Sequence, residues 1–389
     1  MIQLAPSSDD QNTVKNALLE AHEGDVICFK AGTFHFTDQL SLSANEVTLR
    51  GADGTVFDFS GQTADANGLE VTGNGDTVES LKIVDTKGDA VRATAVSGVT
   101  FSKVHVEWTR GPDSQNGSYG MCAVSSTHIL IEDCFTSGAS EAGIYVSQSS
   151  KIIIRSNEAT LNVAGIELEN STDAEASDND CHDNTAGILV SDVPGLPVQG
   201  GTHADVHDNR VEHNNHENFS APGSMLHDTA VGTGVFVLAA DDNQVHANQI
   251  SDNQSYGVAV LSWYATQRDD EGMADPKYDF YPEGNYVFDN DLSNNGEQPD
   301  GSAATIAASA GETTIADVVW DGTVDWKKYY RDGVPANPDP GWIPIPNRNC
   351  FKPGSASYMN LDLQHDGANK SSSPGDFECE QPSLPAIQL

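Results

Sequence analysis

The sequence predicts an all-β fold, a solenoid of stacked three-strand coils, from three observations. A motif of roughly 22 residues comes round about five times between Ser125 and Ser262, and self-similarity at that length marks an array whose units bury their apolar faces only against one another. Four copies carry two Asn five residues apart, Asn157/Asn162, Asn179/Asn184, Asn209/Asn214 and Asn248/Asn253. Each copy then opens a short alternating strand at Gly143, Gly165, Gly187, Gly234 or Gly257, with Ile144/Val146, Ile166/Leu168, Ile188/Val190, Val235/Val237 and Val258/Val260 pointing inward. Period 2 and β-branched residues fit strands, not the Leu-x-x-Leu-x-Leu core of leucine-rich repeats. The Asn pairs are expected to stack as ladders at turns that tolerate left-handed backbone, which is the arrangement of a parallel β-helix.

The remaining elements follow in order. Asp10 to Glu23 reads as a helix with Val14, Leu18 and Leu19 on one face and Gly24 past its end. As the one convincing helix of the chain, it is expected to cap the open end of the first coil, whose strand edge and core would otherwise be bare. The segment GDVICFKAGTFHF starts the first coil, EVTLRG and TVFDF the next, and Gly68, Ala90 and Gly120 take the strand-opening place before the clear repeats. The cap is therefore residues 1–24 and the β-helix residues 25–300, about nine to ten coils. Periodicity stops after Asn295, and residues 301–389 are expected to be an irregular capping segment in which Cys350 and Cys379 pair. Cys28, Cys134 and Cys181 fall on or near inward positions and are expected as buried thiols.

The stretches WTRGPDSQNGSYG, SEAGIYVSQS, VAGIELENST and AGILVSDVPGLPVQGG carry a family resemblance. The chain resembles right-handed parallel β-helix proteins of the pectin-lyase-like class, and more closely an uncharacterised family of exported bacterial β-helix proteins. That resemblance implies fold and export, to the periplasm, the medium or the outer cell surface of a bacterium. It implies no particular chemistry.

Charge narrows the partners. The chain of 389 residues has 58 acidic against 19 basic side chains, a formal charge of −39, which would repel nucleic acid and anionic membranes. No apolar run is long enough to span a bilayer, and Met1 leads directly into mature-looking sequence. A strongly anionic polymer would need a bridging cation, with Ca²⁺ the first candidate. The protein is expected to be a monomer.

Strand register identifies the outward residues. The second position after each strand opening gives a column Glu70, Arg92, Cys122, Tyr145, Glu167, Leu189, Phe236, Ala259, and the fourth gives Thr72, Thr94, Val124, Ser147, Glu169, Ser191, Leu238, Leu261. Arg110–Tyr119 and Asn215–Thr233 are inserted just before this strand, Asp192–His203 and Trp263–Glu283 just after it. Solenoids put insertions on their binding face, so this sheet is expected to floor a walled groove. The candidate catalytic residues are Tyr145, Glu167, Glu169 and Arg92; the candidate substrate-binding residues are Arg110, Trp263, Tyr264, His203 and His227. Aromatic faces suit sugar rings and acidic clusters suit Ca²⁺.

The expected function is binding of a polysaccharide in that groove. A lyase or epimerase would use a base against the proton α to a uronate carboxylate, with Arg or a cation on the carboxylate and Tyr or His moving the second proton. A hydrolase would use Glu167 and Glu169 as its two carboxyls. A non-catalytic carbohydrate-binding or cell-surface protein and a periplasmic assembly partner of another exported protein are the alternatives.

Overall fold

The computed structural model describes residues 1–63, 66–309, 311–330, 332–335 and 338–389. Every strand pair within its three long sheets is parallel, and among the described residues the sheets hold twelve, ten and eleven strands. Sheet 1 runs from Ile2–Leu4 to Cys350–Lys352, sheet 2 from Gly32–His35 to Asp291–Ser293, and sheet 3 from Leu40–Leu42 to Tyr358–Asn360. A coil visits them in that order, as in Thr127–Glu132, Phe135–Ser137 and Ala142–Ser147, before the next coil begins at Ser150. The inward positions fill one continuous core: Ile144, Val146, Ile166, Leu168, Ile188, Val235 and Val258 are buried in it, as the alternation requires.

The Asn ladders form at two corners. Between sheets 1 and 2, the Asn157 side-chain amide donates to Asn179 Oδ1 at 2.9 Å, Asn179 to Asn209 at 3.0 Å, Asn209 to Asn248 at 2.9 Å and Asn248 to Asn290 at 2.9 Å. Between sheets 2 and 3 runs a second, from Asn162 through Asn184, Asn214, Asn253 and Asn295 to Asp317. Each amide also donates to a carbonyl one coil back, and each Oδ1 accepts a backbone N–H from the preceding coil, so that within the ladder four buried polar bonds close at once. At the third corner Ser126, Ser149 and Ser171 stack through backbone N–H to Oγ bonds, and in the later coils a separate ladder of Asn243, Asn285 and Asn349 forms at the start of the sheet 1 strands.

Several expectations are corrected. Helix α1 spans Asp10–Leu19 and buries Val14 and Leu18, but Leu19 points to solvent. Two further helices, α2 (Asp269–Ala274) and α3 (Gly301–Ser309), sit in excursions on either side of sheet 3. The boundary at residue 300 is passed by Val318–Trp320 and Tyr358–Asn360 in sheet 3 and Cys350–Lys352 in sheet 1. The periodicity vanished there because excursions at 296–317 and 321–349 separate strands of only three residues. Cys350 and Cys379 form the expected disulfide. Cys134 and Cys181 are buried free thiols, as Cys122 is, whereas Cys28 is only half-buried.

A candidate site over sheet 3

The register of sheet 3 places the outward column as read from the sequence: Glu70 pairs with Arg92, Arg92 with Cys122, and so through Tyr145, Glu167, Leu189, Phe236 and Ala259. A neighbouring column, Tyr119, Ala142, Ala164, Ala186, Thr233, Tyr256, lies alongside. Three successive alanines there leave a trough between the two tyrosines, a signal present in the sequence as the repeated Ala-Gly that opens the strands. All four predicted insertions flank this sheet, and the excursions carrying α3 and residues 321–349 add two more. The sheet is outward but not open. Cys122, Tyr145, Glu167 and Leu189 are buried, with Leu226 and Phe219 of the 215–232 wall packed on the middle rungs, and Ala259 is buried in a second cluster with Trp263 and Ile306.

Carboxyls gather in the middle of the trough. The Tyr145 hydroxyl donates to Glu169 Oε1 at 2.6 Å, and Ser147 Oγ donates to the same oxygen at 2.9 Å. Tyr119 stacks flat on Tyr145 with ring centroids 4.0 Å apart. Glu167, on the rung between Tyr145 and Leu189, is buried; desolvation first, then the negative charges of Glu169 and Glu141, hold its carboxyl well above the ordinary range. Glu141, at the turn before this strand, accepts a hydrogen bond from Ser220 Oγ at 3.2 Å, and burial raises it too, against the opposing bonds of Ser220 and Ser224 and the charge of His227. Sequence reading missed Glu141 because its importance comes from the 215–232 wall, which brings Ser220, Ser224 and His227 over it from about 80 residues away.

Toward the C-terminal coils the trough widens into a cavity of about 460 Å³ lined by Glu167, Leu189, Leu226, His227, Phe236, Tyr256, Leu261 and Ile306, with Asp228 ion-paired to Arg268 in its wall. Toward the N-terminal coils, Arg92 is tied to Asp89 at 2.7 Å and approaches Cys122 Sγ at 3.5 Å. Arg110 stands exposed in the first wall.

Two expected binding residues lie differently. Trp263 is wholly buried, its indole N–H donating to Arg268 O at 2.8 Å and its ring set edge-on to Tyr278, so it anchors its loop against Ala259 and Leu261 and offers no face to a sugar. His203 belongs to sheet 1, 3.5 Å from Asp173, where the C-terminal residues Leu384–Ile387 lie beside it; it is outside the groove. Tyr264 is 38% exposed but stacks on Phe280 in the outer wall. His227 lines the cavity with Nδ1 3.1 Å from Ser220 O. The acidic loops do not form a metal nest: among the described residues, no three His, Cys, Asp or Glu side chains converge to hold a metal ion.

With this geometry established, comparison with known proteins adds the family pattern. A family model described as a right handed beta helix region matches residues 89–270. The chain folds as a right-handed parallel β-helix. This β-helix is similar to two solved A-modules of Azotobacter vinelandii mannuronan C-5 epimerases. That of AlgE4 has 16% identity and a TM-score of 0.55, over 81% of this chain and 88% of that one. That of AlgE6 has 14% identity and a TM-score of 0.55, over 82% and 87%. At such identity the likeness concerns the fold. No curated protein matches the β-helix. Among its described residues no helix is long and apolar enough to cross a membrane.

Proposed function

We propose that this protein is an exported polysaccharide-modifying enzyme that takes a glycan chain along sheet 3 and moves a proton on it with Glu167. The observation that carries the reading is a buried carboxyl, held above the ordinary range by desolvation first and then by the charges of Glu169 and Glu141, opening on a walled cavity, one rung from a tyrosine and two residues from a second carboxyl held by hydrogen bonds. Such an arrangement suits general acid catalysis, because burial raises the proton affinity of Glu167 beside a second carboxyl, Glu169, whose Oε1 is fixed by Tyr145 and Ser147. The fold it shares with mannuronan epimerase modules supports a glycan as ligand. The Cys350–Cys379 disulfide supports an oxidising, extracellular or periplasmic location.

The site favours a neutral sugar over a uronate. Glu141, Glu167 and Glu169 gather at the middle of the sheet, with Glu167 lining the cavity, while the nearby cations Arg92 and Arg268 are each tied to an aspartate. Among the described residues the carboxyl side chains do not converge as a Ca²⁺ cage would need, so no step is routed through a metal. Bond cleavage by an acid and a carboxylate therefore ranks above proton abstraction from a uronate.

The test is a panel of neutral and uronate polysaccharides, assayed for new reducing ends, for unsaturated products and for altered sugar stereochemistry. Glu167→Gln with unchanged melting should lose about 100-fold or more in turnover, the usual range for a general acid. If the wild type binds no glycan at all, the assembly-partner reading replaces the enzyme one. If it binds but Glu167→Gln reacts as fast, the acid lies elsewhere.

A further inference from the structure

The middle of the 215–232 wall is built as a unit of its own. Asn218 is its hub: the side-chain amide donates to Leu226 O at 2.9 Å, His227 O at 3.2 Å and Thr229 O at 3.2 Å, and Oδ1 accepts from Ser220 N at 3.0 Å. Ser220 Oγ lies 2.8 Å from Ser224 Oγ, and His227 Nδ1 lies 3.1 Å from Ser220 O. Its ties to the rest of the protein are of another kind. Among the described residues, no backbone-to-backbone hydrogen bond joins residues 217–229 to anything outside that stretch. What holds them down is side chains: Ser220 and Ser224 on Glu141, Asp228 and Met225 on Arg268 of the 263–283 wall, and Leu226 with Phe219 in the apolar cluster of Tyr145 and Leu189. The two ends, by contrast, are pinned to neighbouring residues of one corner. His216 N donates to Asn184 O at 3.0 Å, Thr185 Oγ donates to His216 O at 3.0 Å, and Gly232 N donates to Thr185 O at 3.0 Å. Gly232 has φ of 86°, and a side chain there would stand 2.2 Å from Gln254 Cγ.

We propose that residues 217–229 are a lid, hinged at His216 and at Gly232, that lifts as one body to open the middle of sheet 3 to a glycan chain and closes by re-forming its contacts to Glu141 and Arg268. The inference rests on the reading of sheet 3 as a glycan groove and deepens it. With the lid down, a chain laid along the sheet meets Leu226 and Phe219 before it reaches Tyr145 or Glu167, and Glu167 is only 4% exposed. A compact loop with close ends and its own internal bonds moves without losing its shape. Segments held by a few side-chain contacts open at far lower cost than ladder strands do, and the stem residues have only to absorb the change in backbone angles. Closure would then shut water out of the site once a chain is in place.

The experiment follows a thiol placed on the covered floor, Leu189→Cys, with a maleimide on a polyethylene glycol chain too large for the closed cavity, which stands in for a polymer; labelled sites are assigned by peptide mapping. Cys134 and Cys181, inside the core, report global unfolding in the same sample. The new thiol should label about tenfold faster than those two, or more, because local opening is commoner than global unfolding. Asp228→Asn removes the ion pair to Arg268 and Ser220→Ala a bond to Glu141. Each should speed labelling by up to about fivefold, the equivalent of about 1 kcal/mol, with Cys134 and Cys181 unchanged. Labelling of the floor thiol no faster than that of Cys181 would overturn the proposal, as would a rate that neither latch substitution moves. Ala186→Cys, on the same strand and buried in the same cluster, repeats the test should Leu189→Cys fail to fold. No glycan takes part, so the two readings fail separately: a floor thiol that stays shut sinks the lid, whereas a lid that opens over a sheet binding no polysaccharide sinks the groove.

Discussion

The Tyr145 hydroxyl lies 2.6 Å from Glu169 Oε1 across one rung of sheet 3, so that a side chain on one coil fixes a carboxylate on the next. Tyr145→Phe removes that donor and leaves Ser147 as the other one. Stability should fall by about 1 kcal/mol, measured by chemical denaturation, while turnover on the responsive glycan should fall by about tenfold or more through loss of positioning. Loss of turnover with unchanged KM would place the tyrosine in the reaction step; a rise in KM alone would make it a binding group.

Asn179→Ala tests the ladder. The residue's amide donates to Asn209 Oδ1 and Ile154 O, and its Oδ1 accepts from the backbone and side-chain nitrogens of Asn157. Truncation leaves buried groups unpaired in both neighbouring coils, so the expected loss is on the order of 3 kcal/mol. An unchanged denaturation midpoint would show that water replaces the amide.

Asp241 gives a pH signature. Burial first, then repulsion from Asp279, Glu283 and Asp242, raises its carboxyl to about 8, against the bond its Oδ1 accepts from Glu283 N. The folded state holds this proton more tightly than the unfolded chain, whose group titrates at the ordinary aspartate value. Its contribution is therefore fully present below about pH 4 and declines as pH rises to about 8. Asp241→Asn can keep the Glu283 bond and has no proton to lose. The variant should gain on wild type between those limits, by on the order of 3 kcal/mol after allowance for relaxation. Parallel stability curves of the two proteins from pH 4 to 8 would refute the assignment.

The disulfide ties two residues 29 apart in sequence. Cys379→Ala should lower stability by about 3 kcal/mol in the chain-entropy model, and it should loosen the terminal residues. Gln244 Nε2 holds Pro382 O there at 2.7 Å over sheet 1. Hydrogen exchange at residues 380–389 and on the sheet 1 strands beneath them reports the second effect; protection equal to wild type would show that the tail is held without the bridge.

What could be read from the sequence was whatever repeats at fixed spacing. The columns from Glu70 to Ala259 and from Thr94 to Leu261 came out in register because alternation and a constant coil length determine them. Burial of those columns did not follow, since it depends on where Leu226, Phe219 and Ile306 fold back, and aperiodic walls carry no period to extrapolate. Trp263 shows why: an aromatic in a wall has the composition of a ligand face, but here it is the loop's own anchor. Glu141 was overlooked for the converse reason, an unremarkable turn residue until Ser220 and His227 arrive above it. The last coils were hidden because three-residue strands between long excursions leave no measurable alternation.

The Asn stack keeps the same bonds although successive members are 22, 30, 39 and 42 residues apart. Coil height is thus decoupled from how much chain leaves the corner and returns. Loops can be lengthened, shortened or exchanged between rungs without shifting the floor beneath them, which makes the scaffold evolvable: new walls, and with them new ligand preferences, can be acquired one excursion at a time while the backbone lattice stays in place.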